Sequence, residues 1–245
     1  MSTTPTTNLL ELKGVHTHIG AYHILHGVDL AVPKGQLTML LGRNGAGKTT
    51  TLRTIMGLWR ASQGRVVFAG QDITGWSTPR IAGLGIAYVP ENMGIFADLT
   101  VKENMLLAAR SARNAAQMDE ARLQWIFKLF PAVEKFWNHP AGKLSGGQKQ
   151  MVAVSRAIVE PRDLLIVDEP SKGLAPAIIN NMIDAFDQLK KSGVTILLVE
   201  QNINFAKRLG DTVAVMDNGQ VVHAGSMAAL AQDEELQRSL LGLAL

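Results

Sequence analysis

The chain has 245 residues, of which 47% are hydrophobic, so it can bury a substantial core and is predicted to be globular rather than disordered. It has no cysteine, which excludes a disulfide scaffold, a zinc ribbon and a thiol nucleophile. Its 24 basic and 21 acidic residues are scattered and leave a net charge of +3, which gives little support to nucleic-acid binding.

The N-terminal segment, MSTTPTTNLL, lacks the basic start and the apolar stretch of a secretory signal. No apolar run approaches the roughly 18 residues that predict a membrane-spanning helix. We therefore expect any association with a membrane to depend on a partner.

Residues 9–41 have the short alternating pattern of strands, and the run LTMLL leads directly into a glycine-rich loop. Two further strands are predicted at 64–68 and 85–89, each bounded by glycine or proline. Four of the six histidines fall within 16–26. His16 and His18 share a face of a predicted strand, so a metal clip is conceivable, although exposed strand histidines are ordinary.

The glycine-rich loop, GRNGAGKTT at 42–50, fits the phosphate-loop pattern G-x-x-x-x-G-K-[ST] between an apolar strand and a plausible helix. Glycines let backbone N–H groups turn towards phosphate oxygens, and the helix N-terminus adds its positive end. We expect Lys48 to reach the β and γ phosphates and Thr49 to hold Mg²⁺. The predicted nucleotide-binding residues here are Gly42, Arg43, Asn44, Gly45, Ala46, Gly47, Lys48, Thr49 and Thr50.

A helical insert is predicted after Leu99, over about 100–140. Thr100 and Glu103 form a capping-box pattern ahead of NMLLAARSA. Asp119 can cap a second helix, on which Leu123, Phe127 and Phe130 would share a face.

Beyond Gly146 helices and strands alternate, which predicts an α/β sheet covered on both faces with its ligand at the carboxyl ends of the strands. A helix stopped by Pro161 precedes the buried strand DLLIVDE, and a helix with Pro176 in its first turn precedes the strand VTILLVE. That second helix has an apolar stripe and ends before Gly193; the stripe consists of Ile179, Met182, Ile183, Phe186 and Leu189. Asn218-Gly219 predicts a hairpin, and Ser226 opens a closing helix.

Two carboxylates follow the strand LLIV. Asp168 would be costly at the end of a buried strand unless a cation or a donor met it, so we expect it to support Mg²⁺. Glu169 could align and deprotonate a water for attack on the γ-phosphate. The alternative is that both carboxylates cap the next segment.

GRNGAGKTT, LSGGQ and LLIVDEP occur in that order, and the chain thereby resembles the ATP-binding cassette (ABC) family along essentially its whole length. The resemblance implies a P-loop NTPase of α/β class, with a β-rich N-terminal subdomain, a RecA-like core and a helical subdomain at about 97–142, in a single domain over 1–245. It also implies that a second glycine-rich helix start faces the γ-phosphate held by another subunit, so that two chains enclose two ATP molecules. The residues of that start are Ser145, Gly146, Gly147 and Gln148; a simple helix-capping turn is the alternative.

Three positions depart from the general family pattern. Glu91 stands where most members have Gln, and it could still join the Mg²⁺ shell. Gln201 stands where many members have His, and it can orient water but carries no titratable proton. KGLA at 172–175 lacks the usual aspartate.

With these departures the chain is similar to the ATP-binding subunits of branched-chain amino-acid importers, in which the combination of VPE, EPSxGLAP and LVEQN is familiar. Family members usually have an aromatic residue near the first strands that stacks on adenine, but this chain has Ile19 at that position, with Tyr22 three residues on. Tyr22 could stack on adenine or be packed in the protein. Met93, Ile95 and Phe96 could receive a short helix of a permease or contact the helical insert.

The resemblance implies an ATPase with ATP and Mg²⁺ as cofactors, in which Glu169 and Gln201 serve hydrolysis and Thr49, Glu91 and Asp168 serve the metal. It further implies a second ATPase subunit, identical or paralogous, two membrane permeases, an indirect solute-binding protein, no nucleic acid, and a peripheral place on the cytoplasmic face of the inner membrane. Three other functions stay open: a urea or short-chain amide importer ATPase, a DNA-maintenance ABC ATPase, and a non-hydrolysing regulatory module. A DNA-maintenance ABC ATPase would need a long coiled coil, whereas the predicted insert is only about forty residues without sustained heptads.

Overall fold

The computed structural model describes residues 7–109, 112 and 114–242. This part of the chain forms ten strands and ten α-helices. The strands are β1 (Asn8–Ile19), β2 (Tyr22–Pro33), β3 (Leu37–Gly42), β4 (Ala61–Phe68), β5 (Gln71–Asp72), β6 (Ile86–Val89), β7 (Leu164–Asp168), β8 (Thr195–Glu200), β9 (Thr212–Asp217) and β10 (Gln220–Ser226). The helices are α1 (Lys48–Ile55), α2 (Thr78–Gly83), α3 (Val101–Ala108), α4 (Glu120–Leu129), α5 (Pro131–Lys135), α6 (Gly146–Ile158), α7 (Pro176–Lys191), α8 (Ile203–Leu209), α9 (Met227–Gln232) and α10 (Glu234–Leu241).

Six strands form the central sheet, in the order β10-β9-β3-β8-β7-β6. The strands β9, β3, β8, β7 and β6 run parallel, and β10 pairs antiparallel with β9. Strands β3, β7 and β8 are buried at every residue, because both faces of the sheet are covered. Their carboxyl ends lie along one edge, where β3 passes into the glycine-rich loop and β7 ends at Asp168.

Successive residues of each central strand point into two different cores. Leu41, Val167 and Leu198 pack into a core that includes helices α6, α7 and α8, whereas Leu40 and Ile166 pack into a core shared with the second sheet. The predicted sheet covered on both faces is therefore confirmed. One cover is helical, and the other is largely a second sheet.

That second sheet has four strands in the order β2-β1-β4-β5, and its pairs are antiparallel. Its inward side chains include Leu10, Leu12 and Val28, which pack together with α1 residues such as Leu52. The β-rich entry predicted for residues 9–41 is present. Strand β2 also brings Leu25 and Ile24 close to the glycine-rich loop.

Helices α3, α4 and α5 fall within the predicted helical insert, and hydrogen bonds join the ends of that interval. The N–H of Gly142 donates to the Ala97 carbonyl at 2.9 Å, and that of Ala141 donates to the Leu99 carbonyl at 2.8 Å. The Thr100–Glu103 capping box and the Asp119 cap are both formed.

One detail of the insert was predicted wrongly: Phe130 is not a helical partner of Leu123 and Phe127. Helix α4 ends at Leu129, and Phe130 adopts φ −134° and ψ 78° between α4 and α5. The cause is Pro131, because proline disfavours the α conformation of the residue before it. Phe130 is nevertheless buried in the same core.

The remaining sequence signals agree with the structure. Asn218 and Gly219 both have positive φ, 44° and 75°, as the predicted β9–β10 hairpin turn requires. The Ser226 hydroxyl caps α9, and Gly193, with φ 88°, follows the end of α7. Across the described ranges, no helix combines the length and the apolar character needed to cross a membrane.

Candidate functional site

The glycine-rich loop joins the end of β3 to the start of α1 and is shaped by three glycines of positive φ. These are Gly42, Gly45 and Gly47, with φ of 148°, 82° and 101°. A Cβ on Gly42 would lie 2.3 Å from the Met216 carbonyl oxygen, so only glycine fits there. The helix N-cap is Gly47, which has no side-chain acceptor for the first-turn N–H groups. The loop therefore presents backbone donors at a helix N-terminus, as phosphate binding requires.

Lys48 is buried inside this loop. Its Nζ donates to the carbonyls of Gly42 and Arg43 at 2.8 and 3.0 Å. Burial lowers the pKa of Lys48, and the negative charges of Glu169, Asp168 and Glu200 act in the opposite direction. The ammonium is thus held over the loop with three carboxylates near it.

Asp168 and Thr49, each predicted as a metal ligand, meet at the end of β7. Asp168 is 1% exposed, and its Oδ1 has no hydrogen-bond partner within the described part of the chain. Burial raises the pKa of Asp168, while a hydrogen bond from the Thr49 hydroxyl partly offsets that effect. A buried carboxylate oxygen without a donor, beside a hydroxyl, fits a hard divalent cation such as Mg²⁺.

Glu169 follows with a positive φ of 47°, which is rare for a non-glycine residue. Its Oε1 accepts a hydrogen bond from Gln201 Nε2 at 2.6 Å and lies 3.8 Å from Lys48 Nζ. The structure therefore brings together both residues predicted to serve hydrolysis.

Lys172 is a neighbour of this carboxylate that the sequence analysis did not single out as a functional residue. Its Nζ forms an ion pair of 2.5 Å with Glu91 Oε1 and lies 3.5 Å from Glu169 Oε2. Glu91, predicted as a metal ligand, therefore has an ammonium partner here. Because Glu91 and Lys172 are far apart in the chain, no local pattern could have indicated the pair.

Glu200 and Tyr88 are two further residues that the sequence analysis missed. Glu200 is 2% exposed, and its Oε1 accepts the N–H of Ser171 at 2.9 Å, which ties the loop after Glu169 to the end of β8. The Tyr88 hydroxyl lies 3.5 Å from Asp168 Oδ2, and burial together with the Asp168 charge raises the pKa of Tyr88 to about 12. Tyr88 thus stays protonated as a donor.

These groups line one open pocket of about 380 Å³, here called the phosphate pocket. It contains residues of the glycine-rich loop, of the loop after β6 and of the loop after β7. Its lining consists of Ile24, Asn44, Gly45, Gly47, Lys48, Thr49, Thr50, Glu91, Glu169 and Lys172. Two cations and two carboxylates thus face one cavity above a row of backbone donors.

The residues of LSGGQ, 144–148, are here called the signature turn, and they do not line this pocket. Ser145 and Gln148 form a complete capping box: the Ser145 hydroxyl accepts the Gln148 N–H, and the Gln148 carbonyl oxygen Oε1 accepts the Ser145 N–H. Ser145 and Gly146 are exposed. Helix capping therefore uses two side chains and leaves the first-turn N–H groups of Gly146 and Gly147 without an acceptor inside the helix.

Tyr22 is 76% exposed, at the tip of the β1–β2 hairpin, so the packed alternative is wrong. It does not line the phosphate pocket, whereas Ile24 does. The histidines of the same hairpin contact one another: His16 Nδ1 and His23 Nε2 lie 3.1 Å apart, and the rings of His18 and His23 stack. No cluster of three or more metal-ligating side chains with suitable geometry occurs in the described ranges, so the structure gives the metal clip no support.

A larger groove of about 930 Å³ lies beside the pocket and shares Glu91 with it. It is here called the docking groove, and it lies between the central sheet and helices α3 and α6; its lining includes Leu58, Trp59, Met93, Ala108 and Arg156. Phe96 is 49% exposed at its edge, and the Arg156 guanidinium lies 5.1 Å from the Phe96 ring centre. Met93 and Ile95 instead pack partly against the core. Neither predicted alternative describes all three residues: two contact the core and Phe96 faces solvent.

Comparisons with known proteins point in one direction. The family model described as ABC transporter matches residues 25–172. The chain is 37% identical to the high-affinity branched-chain amino acid transport ATP-binding protein BraG of Pseudomonas aeruginosa, over 96% of this chain and 100% of that protein. It is 35% identical to the probable branched-chain amino acid transport ATP-binding protein LivF of Archaeoglobus fulgidus, over 90% of this chain and 93% of that protein.

Solved structures have the same fold. The ADP conformation of an ATP-binding cassette of an ABC transporter superposes with a TM-score of 0.82 and 27% identity, covering 97% of this chain and 100% of that one. A dimeric structure of a bacterial ABC transporter cassette superposes with a TM-score of 0.79 and 25% identity, covering 89% of this chain and 98% of that one.

Proposed function

The chain belongs to the ABC transporter family, and from that premise we propose that it is the ATP-hydrolysing subunit of an importer for branched-chain amino acids. Family membership confirms the resemblance inferred from the three motifs. The solute is supported by the names of the relatives, two of which are branched-chain amino-acid transport proteins at 35% identity or more. These names favour this solute over urea or short-chain amides, and transport over DNA maintenance.

Nucleotide binding rests on the phosphate pocket. The N–H groups from Gly45 to Thr50 would surround the phosphates, and the Lys48 ammonium would pair with the terminal phosphates in place of the loop carbonyls. Thr49 and Asp168 would hold Mg²⁺. Mg²⁺ would neutralise charge on the β and γ oxygens. Arg43, Asn44 and Ala46 complete the loop, and the exposed Tyr22 is the candidate for adenine stacking.

Hydrolysis follows from the position of Glu169. In the proposed step a water oxygen forms a bond to the γ-phosphorus, the bond from that phosphorus to the β–γ bridging oxygen breaks, and the water proton passes to the Glu169 carboxylate. The products are ADP and phosphate. Gln201 orients the carboxylate through Oε1, which leaves Oε2 to accept the proton.

The observation that carries the proposal is that Glu169 Oε1 lies 3.8 Å from Lys48 Nζ while Gln201 fixes it at 2.6 Å. A carboxylate held this close to the phosphate-binding ammonium can reach a water in line with the γ-phosphate. The test is phosphate release from Mg-ATP by the wild-type protein and by Glu169→Gln. We expect wild-type turnover and a loss of at least about a hundredfold in the variant; equal rates in the two proteins would refute the role of Glu169.

We further propose that two chains, identical or paralogous, enclose two ATP molecules, with the signature turn of each facing the γ-phosphate bound by the other. The first-turn donors of α6 and the exposure of Gly146 support this, as does the dimeric cassette with a similar fold. In light scattering with saturating Mg-ATP, Glu169→Gln is expected to dimerise. A monomer under those conditions would exclude ATP-driven pairing of identical chains.

The docking groove is proposed to receive a short helix from each of two membrane permeases, supplied with solute by a binding protein. Its exposed apolar residue Leu58 supports this, as does the exposed Phe96, which lies beside the groove against Arg156. Glu91 lines both the groove and the phosphate pocket, so a bound partner would contact a residue of the nucleotide site. In this arrangement the chain lies on the cytoplasmic face of the inner membrane. We treat residues 1–245 as one ATPase domain with its helical subdomain at 97–142, because hydrogen bonds close the ends of that interval.

A further inference from the structure

Lys172 lies between the two carboxylates that face the phosphate pocket, Glu91 from the loop after β6 and Glu169 from the loop after β7. Its ammonium is 2.5 Å from Glu91 Oε1 and 3.5 Å from Glu169 Oε2. The first contact is a charge-assisted hydrogen bond, whereas the second is an ion pair at a distance beyond the usual hydrogen-bond range. Glu91 therefore anchors the Lys172 ammonium, and the charge of that ammonium acts on Glu169.

We propose that Lys172 is a positioning residue for ATP hydrolysis: anchored on Glu91, its ammonium holds the Glu169 carboxylate in the orientation that presents Oε2 to the attacking water. This inference rests on the proposed role of Glu169 as general base. It assigns a role to the lysine that stands in the segment 172–175, where the family's usual aspartate is missing.

The two oxygens of Glu169 are held differently, which is what an oriented base needs. Oε1 accepts a hydrogen bond from Gln201 and lies near Lys48, so both of its neighbours are cationic or donating groups. Oε2 faces Lys172 at a distance beyond hydrogen bonding and keeps a lone pair for a proton. Without Lys172 the carboxylate would be fixed through one oxygen and could rotate about that contact.

The charge balance of the pocket is a second argument for this role of Lys172. Glu91, Asp168 and Glu169 are three carboxylates close together, and Glu169 and Glu91 both act to raise the pKa of Asp168. Lys172 offsets two of them.

Lys172 is suited to substitution because its removal should not disturb folding. Its side chain is 57% exposed, and ion pairs of exposed side chains contribute little to stability. Lys191 offers a matched control: it is 72% exposed and pairs with Asp187 at 2.5 Å on α7, away from the phosphate pocket.

The experiment measures kcat and KM for Mg-ATP on the purified full chain as wild type, Lys172→Met, Lys172→Arg, Glu91→Gln, the double variant Glu91→Gln with Lys172→Met, and Lys191→Met. We expect Lys172→Met to lower kcat about tenfold, because Glu169 Oε2 loses its ion-pair partner, with KM changed less than about threefold. Lys172→Arg should restore kcat to within about threefold of wild type, because a charged donor is retained. Lys191→Met should match wild type.

The double variant tests the anchor. If Glu91 acts through Lys172, the double variant should be no more than about twofold slower than Lys172→Met alone, because the two losses share one interaction. Three results would each overturn the inference. The first is a double variant whose loss of kcat equals the product of the two single losses. The others are a kcat of Lys172→Met within about twofold of wild type and a Lys172→Arg variant as slow as Lys172→Met. All of these comparisons are made on a wild type that hydrolyses ATP and that Glu169→Gln inactivates. A failure of the proposed function would show in those two proteins, so it can be told apart from a failure of the role of Lys172.

Discussion

Gln201 Nε2 donates a hydrogen bond of 2.6 Å to Glu169 Oε1, which joins the carboxyl end of β8 to the residue after β7. Hydrogen bonds to charged groups contribute about 1.5–3 kcal/mol. Gln201→Leu is therefore expected to lower kcat for ATP by about ten- to a hundredfold while KM changes little, measured by steady-state phosphate release. A leucine variant with wild-type kcat would show that the hydrogen bond does not serve hydrolysis.

Gln201→His is the matched control, because histidine keeps a donor and adds a titratable proton. The wild-type kcat should lack a limb of histidine type between about pH 6 and 8, since glutamine does not titrate there. The histidine variant should gain an inflection near its unperturbed value of about 6.5. An inflection of that kind in the wild type would point to another ionising group.

Asp168→Asn is expected to stabilise the nucleotide-free protein. Asp168 is 1% exposed, and burial raises its pKa, so the folded state binds the proton more tightly than the unfolded state. The ionised carboxylate thus costs stability above its raised pKa. Asparagine removes that cost, which we put at about 1 kcal/mol or a Tm higher by about 2–4 °C at neutral pH.

Two further measurements check the Asp168 prediction. The Tm difference should shrink as the pH falls through the raised pKa towards the ordinary value of 3.8, because the wild-type carboxyl is then protonated in both states. The Tm increase that Mg-ATP gives the wild type should be much smaller in the variant. A variant less stable than wild type without nucleotide would contradict the burial argument.

Gly146→Ala separates dimerisation from folding. A Cβ on Gly146 would meet no heavy atom within 4 Å in the single chain, so the variant should have a wild-type Tm. In a nucleotide-enclosed dimer the same methyl would crowd the phosphate, and we expect at least about tenfold weaker dimerisation in the Glu169→Gln background. Analytical ultracentrifugation with Mg-ATP measures this.

Gly147→Ala is the contrasting variant. Its Cβ would lie 2.7 Å from Ile178 Cγ2, so the packing of α6 against α7 must shift and the Tm should fall.

The outcome that would contradict the dimer concerns Gly146→Ala. If Gly146→Ala in the Glu169→Gln background dimerises as well as Glu169→Gln alone, the signature turn does not face the bound nucleotide.

Phe96→Asp tests the docking groove. Phe96 is 49% exposed and contributes little to the core, so the variant should fold and the isolated subunit should keep ATP hydrolysis. A carboxylate on an apolar contact surface carries a desolvation cost, and co-purification with the permeases should be lost. Asp98→Asn, a conservative change on the same exposed segment, serves as control. Normal co-purification of Phe96→Asp would remove this residue from the interface.

Features contained in one short segment were predictable from the sequence. The phosphate loop, the Thr100–Glu103 and Ser145–Gln148 ends of helices, and the Asn218-Gly219 turn depend on contacts between residues a few positions apart. The position of Asp168 was equally local, because an uninterrupted apolar run that ends in a carboxylate is typical of a buried strand reaching the ligand-binding edge of a parallel sheet.

Only the tertiary structure decided which of these segments meet. Glu91 and Lys172 are 81 residues apart, Glu169 and Gln201 are 32 apart, and Glu200 and Ser171 are 29 apart. Their contacts depend on the order of β6, β7 and β8 in the sheet and on the positive φ of Glu169. Hydrophobic periodicity specifies which face of a strand is buried, but not which strand lies beside it or how the loop beyond its end turns. The sequence therefore determined the chemical groups of the site, and the packing of three parallel strand ends determined their partners.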